Sequence, residues 1–204
     1  MTKNNQETES KFLVGDLEKI EQRLKEIGAV CVEPRAFEYN LRYDDDDNSL
    51  SNDRKVLRLR KYNDVRLTFK GPGQMVGKSL QRTEIEVVVS DFDNARLMLW
   101  ELGYHESAIY EKYRAMYQID GSLITLDEAP IGKFVEIEGE TFKEIAGLAR
   151  RLGLDPEKAI PYSYQGMFEK INKALGLGLK NLTFAEFEGK NVHVSELGFD
   201  FADQ

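Results

Sequence analysis

Charged and aliphatic residues alternate along most of this chain. In Gln6-Glu7-Thr8-Glu9-Ser10-Lys11-Phe12 the ionisable residues Glu7, Glu9 and Lys11 fall at every second position, and an extended chain sends alternate side chains to one face. The layout recurs downstream. Leu57 and Leu59 alternate with Arg58 and Arg60 in a predicted strand over 56–61, and Leu67 and Phe69 alternate with Arg66, Thr68 and Lys70 in its partner over 66–70. Tyr62-Asn63-Asp64 turns the pair into a hairpin. Residues 80–89 set Arg82, Glu84 and Glu86 against Ile85 and Val87. Residues 109–119 carry Lys112 and Arg114, a short strand over 123–126 ends at Asp127, and 134–139 place Glu136 and Glu138 around Ile137. A long strand region spans 30–43, and Gly71-Pro72-Gly73 opens a loop that reaches Lys78.

Helical spacing interrupts this pattern. Asp16 is placed to cap a helix over 17–27 in which Leu17, Ile20, Leu24 and Ile27 share a face, and Gly28 ends it. A helix over 93–102 gathers Leu97, Leu99, Trp100 and Leu102, with Trp100 expected in the core, and closes at Gly103. Further helices are predicted over 142–152 and 163–175. The helix-then-glycine units at 16–28 and 91–103 each lie between two strands, which suggests an internal duplication. The run Asp44-Asp45-Asp46-Asp47-Asn48 lacks the spacing of a calcium loop and reads as a solvated loop.

Composition bounds the class. With 204 residues, 41% hydrophobic and 10% aromatic, the chain can bury a sound core. A formal net charge of −8 argues against broad nucleic-acid binding, which needs a basic surface. No apolar run is long enough to cross a bilayer, and the polar start over 1–9 is no signal peptide. The single cysteine, Cys31, excludes an internal disulfide and reads as a small strand residue. A soluble, cytosolic protein without nucleic-acid or membrane partners is expected.

The charged parity admits two readings. One is an antiparallel sheet with a wet face and a packed face. Against it, the bases cluster as Arg58/Arg60, Lys70, Arg82 and Lys112/Arg114, while the acids cluster as Glu7/Glu9 and Glu136/Glu138. The helices also need sheet surface to cover. If they cover the aliphatic parity, the charged parity points inward as the sheet curls, and about eight strands close around a small ligand. Many enclosed cations repel one another unless a polyanion joins them, and the carboxylates offer oxygen ligands to magnesium or manganese. A polyphosphate with a divalent metal satisfies both sets of charges.

These residues resemble the CYTH superfamily, the triphosphate tunnel metalloenzymes, which includes class IV adenylate cyclases and thiamine triphosphatases. Glu7-Thr8-Glu9-Ser10-Lys11 matches its N-terminal Glu-x-Glu-x-Lys signature. Leu57-Arg58-Leu59-Arg60, Leu67-Thr68-Phe69-Lys70 and Arg82-Thr83-Glu84 match the basic strands that follow. Tyr110-Glu111-Lys112-Tyr113-Arg114, Leu126-Asp127, the run from Gly132 to Gly139 and Tyr162-Ser163-Tyr164 complete the series in order. The likeness covers about 7–172.

The resemblance implies an α+β fold: a closed antiparallel eight-stranded β-barrel, or tunnel, with flanking helices, formed by residues 1–175. It implies that Glu7, Glu9, Asp127, Glu136 and Glu138 hold magnesium or manganese, as two ions, and that Lys11, Arg58, Arg60, Lys70, Arg82, Lys112 and Arg114 grip phosphate. Glu7, Glu9, Lys11, Glu136 and Glu138 would carry catalysis. Glu84 and Glu86 read as balancing charges, and Asp127 has a second reading as a turn cap. The expected substrate is a triphosphate. Class IV cyclase chemistry on ATP, giving cyclic AMP and pyrophosphate, leads; hydrolysis of inorganic triphosphate and a non-catalytic nucleotide or polyphosphate binder are the rivals. Lys55, Val56 and Leu57 lack the aromatic that the thiamine-specific branch places there. Residues 176–204 lie outside the likeness; their Leu177, Leu179, Leu182, Phe184 and Phe187 predict a segment packed on the barrel or on a second copy in a homodimer.

Overall fold

The computed structural model describes residues 5–204, so the first four residues of the polar start lie outside the described part. Nine strands form the sheet: β1 (Gln6–Val14), β2 (Val30–Asp44), β3 (Val56–Lys61), β4 (Val65–Lys70), β5 (Gln74–Val76), β6 (Ser79–Val88), β7 (His105–Ile119), β8 (Ser122–Ala129) and β9 (Gly132–Glu138). The order β1-β9-β8-β7-β2-β3-β4-β6 returns to β1 through a β1–β6 pairing, so eight antiparallel strands make a ring and β5 hangs on the edge of β6. Closure leaves few unpaired strand edges.

Register decides which side chains face inward, because directly opposed residues share a face. Glu9 lies opposite Glu138 and Lys11 opposite Glu136. Glu7 faces Arg82, Lys112 faces Glu38, and Arg114 faces Asp127. The charged parity of every ring strand therefore points into one lumen. The wet-sheet alternative does not describe this fold.

Helices cover much of the other parity, while Phe37 of β2 and Ile85 and Val87 of β6 stay exposed. Asp16 caps α1 (Leu17–Glu26) by accepting the Lys19 amide at 3.1 Å, and Gly28 leaves the helix at φ +85°, a conformation that costs a glycine little. Thr141 and Glu144 close a capping box on α4 (Phe142–Arg151). Leu17, Ile20 and Leu24 of α1 and Ile145 and Leu148 of α4 bury Phe12, Ile124, Val135 and Ile137 of the ring. On the far side Leu99 of α3 (Phe92–Glu101) packs on Leu41, Tyr43 and Leu59. Among the described residues no helix is long and apolar enough to cross a membrane.

A third cluster closes one end of the lumen. Met167, Phe168 and Ile171 of α5 (Tyr164–Leu175) meet Leu13, Tyr110 and Phe134, and Leu182, Phe187, Val192 and Val194 of the C-terminal segment complete it. That segment is tied on by backbone bonds from Leu182 to Ile109 at 3.0 Å, from Glu111 to Leu182 at 2.9 Å, and from Ala202 to Leu13 at 2.8 Å. It includes a helical turn, α6 (Phe184–Phe187).

The ring has an internal correspondence. β1, α1 and the 15-residue β2 match β6, α3 and the 15-residue β7 in order. Exchanging β1 with β6, β2 with β7, β3 with β8 and β4 with β9 maps the ring order onto itself. Gly28 and Gly103 both leave their helices at φ +85°. As a result the β3–β4 hairpin lies across the ring from the β8–β9 hairpin.

Three local expectations fail. Trp100 is 58% exposed; Leu97, Leu99, Trp100 and Leu102 do not share one face at 100° per residue, and the sheet takes Leu99. The expected loop over 71–78 contains β5, because a turn at Gly77 folds Met75 and Val76 back onto Leu80 and Ser79. Asp44 is buried rather than solvated: it accepts the amides of Leu50 (2.9 Å) and Ser51 (3.0 Å) and so starts α2 (Ser49–Asn52).

Leu182 is fully buried in the end cluster. Leu182→Ala should cost about 2–5 kcal/mol through the cavity it leaves, read as a lower urea midpoint with an unchanged slope.

Candidate active site

The lumen is a cavity of about 960 Å³ lined by side chains from every ring strand. It brings together Glu7, Glu9, Lys11, Arg58, Arg60, Lys70, Arg82, Lys112, Arg114, Glu136 and Glu138, all singled out from sequence. Asp127 lies behind this lining and is fully buried.

The interior is a lattice of alternating charges, not a bare cationic bore. Lys70 Nζ donates to both Glu7 oxygens at 2.9 Å and lies 2.7 Å from Glu84. Arg82 bridges Glu7 (3.0 Å) and Glu9 (3.2 Å). Lys11 meets Glu136 at 2.8 Å. Arg58 and Arg60 reach Glu86 at 3.7 and 3.6 Å, so Glu84 and Glu86 act as balancing charges. The expectation that repulsion alone demands a polyanion is thus corrected: the carboxylates already offset most of it.

Asp127 is the most enclosed acid. Its Oδ1 accepts from Arg114 Nε at 2.7 Å, and its Oδ2 accepts from Lys112 at 3.0 Å, from the second arm of Arg114, and from the Tyr164 hydroxyl at 2.7 Å. These bonds direct it at Lys112 and Arg114, and it caps no turn. Glu136 is similarly engaged, by Lys11 and Arg114.

Four lumen residues were given no role from sequence. Glu38 and Asn40 on β2 are fully buried. The Asn40 amide donates to Glu38 at 3.0 Å, while Lys112, Arg60 and Arg114 surround that carboxylate at 3.5, 3.6 and 3.9 Å. Tyr110 accepts from Arg58 at 3.2 Å. Tyr164, the first residue of α5, sits with the ammonium groups of Lys11 and Lys112 at 4.4 and 4.5 Å from its ring centre, a cation–π arrangement. β2 carried the signal, because Glu38, Asn40 and Arg42 alternate with Phe37, Tyr39, Leu41 and Tyr43.

Protonation follows from these neighbours. Burial alone would raise the Glu38 carboxyl, but Lys112, Arg114, Arg60 and Arg58 override it and hold it well below the usual range. Glu136 behaves alike beneath Lys11, Lys112 and Arg114. Burial, then the Arg58 charge beside it, weakens the grip of Arg60 on its proton. Glu138 moves the other way: burial and the carboxylates of Glu7, Glu84 and Glu9 push it up to about 7. The residue itself is exposed at the mouth of the cavity, within reach of those carboxylates.

Comparison with known proteins agrees with this geometry. The CYTH domain family model matches residues 5–164. A Methanocaldococcus jannaschii protein named "Putative adenylate cyclase" is 24% identical over 169 residues, spanning 78% of this chain and 95% of that one. A Vibrio parahaemolyticus structure described in the same words superposes with TM-score 0.71 at 22% identity, covering 78% of this chain and 95% of that one. The PH1819 protein of Pyrococcus horikoshii superposes with TM-score 0.66 at 29% identity, covering 80% of this chain and 98% of that one. With the family model spanning most of its length, this chain belongs to the CYTH domain family.

Proposed function

We propose that the lumen binds a triphosphate together with magnesium or manganese and that the chain converts ATP to cyclic AMP and pyrophosphate. One observation carries the reading: exchangeable carboxylates and a wall of cations share one enclosed space. A triphosphate and its divalent ions bring both signs, so each partner can exchange within the lattice. Cations turn from carboxylate to phosphate, and carboxylates turn from cation to metal.

The donor set fits such an ion. Among the described residues no three acids, histidines or cysteines form a ready-made metal cage. Magnesium needs none, since it binds through one or two carboxylates plus substrate phosphates and keeps several waters. Glu9 and Glu138 lie opposite each other. Among the described residues, Glu9 has a single cation partner and Glu138 has none. They are the first ligands of choice, with Glu7 and Glu136 available once Lys70, Arg82 and Lys11 turn to phosphate. Asp127 stays behind, holding Lys112 and Arg114 in place. The metal would supply Lewis acidity toward the attacking hydroxyl and the departing pyrophosphate.

The chain's own groups do the rest. Arg58, Arg60, Arg82 and Arg114 can grip phosphate oxygens in bidentate fashion, and Lys11, Lys70 and Lys112 act as point charges. Held by Asp127, Glu38 and Tyr164, Arg60, Lys112 and Arg114 need little rearrangement as charge grows on the leaving pyrophosphate. The ribose 3′-oxygen bonds to the α-phosphorus, the bond to pyrophosphate breaks, and the hydroxyl proton is released. The names of the relatives above favour cyclisation. Hydrolysis of inorganic triphosphate is the second reading, favoured by Tyr164: the ring of this buried lumen aromatic is already engaged by Lys11 and Lys112 and is not free for a purine.

Incubation with ATP or inorganic triphosphate and either metal should yield cyclic AMP with pyrophosphate from ATP, resolved by chromatography; orthophosphate from inorganic triphosphate alone selects the second reading. Glu9→Gln should lower turnover on any productive substrate by about a hundredfold, the upper end of the cost of losing a mere supporting partner. Retained turnover would remove Glu9 from the metal site.

Glu138 gives a pH test. Its folded carboxyl titrates near 7 against an ordinary 4.5, so the folded chain holds this proton more tightly than the unfolded chain. That contribution is fully present below the lower value and is lost as pH rises through the higher. Without divalent ions, the unfolding midpoint of the native protein relative to Glu138→Gln should fall over that interval, and magnesium should restore it above neutral pH. A difference that ignores pH would refute the assignment.

A further inference from the structure

The two halves of the ring differ in one outer surface. On one half α4 lies along β1 and β9, and the outward residues Phe12, Val135 and Ile137 beneath it are buried. Exchanging the halves carries β1 to β6 and β9 to β4. There the connecting segment forms no helix: β4 passes through Gly71-Pro72-Gly73 into β5 and returns as β6. The outward residues are just as apolar. Leu67 lies opposite Val87 and Phe69 opposite Ile85, yet Val87 is 51% and Ile85 46% exposed. A sheet with an apolar face is stable when another element covers it.

α3 borders this open face as a ridge. It stands over β2 and β3 on Phe92, Ala95 and Leu99. Trp100 meets His105 of β7 with ring centres 4.3 Å apart, which identifies the flank turned toward β7. At about 100° per residue, Met98 and Leu102 lie on the opposite flank, toward β4 and β6, and Leu97 lies near the crest. All three are more than half exposed. The corresponding helix, α1, instead presents Glu18, Lys19, Gln22 and Lys25 to solvent, so the shared frame does not require an apolar outer side on α3.

An apolar ridge beside an apolar step is complementary to itself. A twofold axis parallel to α3 seats the ridge of one copy in the step of the other, and the same operation does the reverse. We propose that α3 and the β4–β6 face form the contact of a homodimer, in which Leu97, Met98 and Leu102 of each copy cover Phe69, Ile85 and Val87 of the other. A second copy is the fitting occupant because one chain supplies both halves of the match. Asn94 and Glu101, exposed toward the two ends of the helix, give the contact a polar rim. The side chains of Ile85, Val87, Leu97, Met98 and Leu102 offer on the order of 500 Å² of open apolar surface per copy. With the rim, the pair reaches the roughly 1,000 Å² in total that a specific interface must clear. The proposal is independent of what the lumen binds.

Sedimentation equilibrium of the full chain should show reversible dimerisation with a midpoint of about 10 μM. Val87→Lys and Met98→Lys should each weaken the dimer at least about tenfold, because each buries an ammonium against an apolar partner surface. Both positions are exposed in the single chain, so the urea midpoints of the variants should match that of the native protein at dilutions where it is monomeric. Val30→Lys, on the part of β2 that extends past its pairing with β3, should leave dimerisation unchanged. A chain that stays monomeric up to about 1 mM overturns the proposal. A dimer that keeps its affinity in both lysine variants, or that Val30→Lys weakens equally, overturns it too, since another face would then make the contact.

Discussion

Enclosing charge in a protein is expensive unless each group meets an opposite one, and this ring is organised by that constraint. Burial, and then the Arg58 charge beside it, weaken the hold of Arg60 on its proton, the cost of enclosing cations side by side. The fold answers with Glu38, Glu84, Glu86 and Asp127, acids placed between or behind the cations. The contacts differ in kind. Asp127 is bonded by short, well-directed donors, whereas Glu38 is shared among cations at 3.5–3.9 Å. Tight pairs fix the spacing of the cations, and loose ones leave them free to turn. A site that must exchange its partners whenever ligand enters needs both.

Much of this was legible in the chain because a strand has a period of two and the lumen uses one parity only. Each candidate drawn from Glu7 to Glu138 by alternation sits in or against the cavity. Two kinds of residue escaped. Glu38 and Asn40 lie in a strand whose other parity is aromatic, and an isolated Glu and Asn do not announce a cluster as paired arginines do. Tyr164 arrives from a helix, so no strand pattern could place it beside Lys11 and Lys112. Trp100 erred in the opposite direction. Its neighbours are apolar, but they are not on one helical face, and amount was mistaken for periodicity.

The end of the lumen shows how packing supports chemistry. Phe134 and Tyr164 meet edge to face, with ring centres 5.2 Å apart, inside the cluster that the C-terminal segment completes. Tyr164 belongs to that apolar cap and also donates to Asp127. Loss of the cap would therefore loosen Lys112 and Arg114 through a single side chain. Core and site are mechanically joined there.

The correspondence between the two halves of the ring stops at the backbone. β3 and β4 contribute Arg58, Arg60, Arg66 and Lys70 and no acid, while β8 and β9, their counterparts across the ring, send Asp127, Glu136 and Glu138 inward and no base. A nearly twofold frame thus carries opposite charge on these two hairpins, though not on the exchanged strands β1 and β6. The bore is polarised from wall to wall, so even a ligand with identical ends is told which flank to present to which side. A backbone whose halves correspond takes on handedness through its side chains alone.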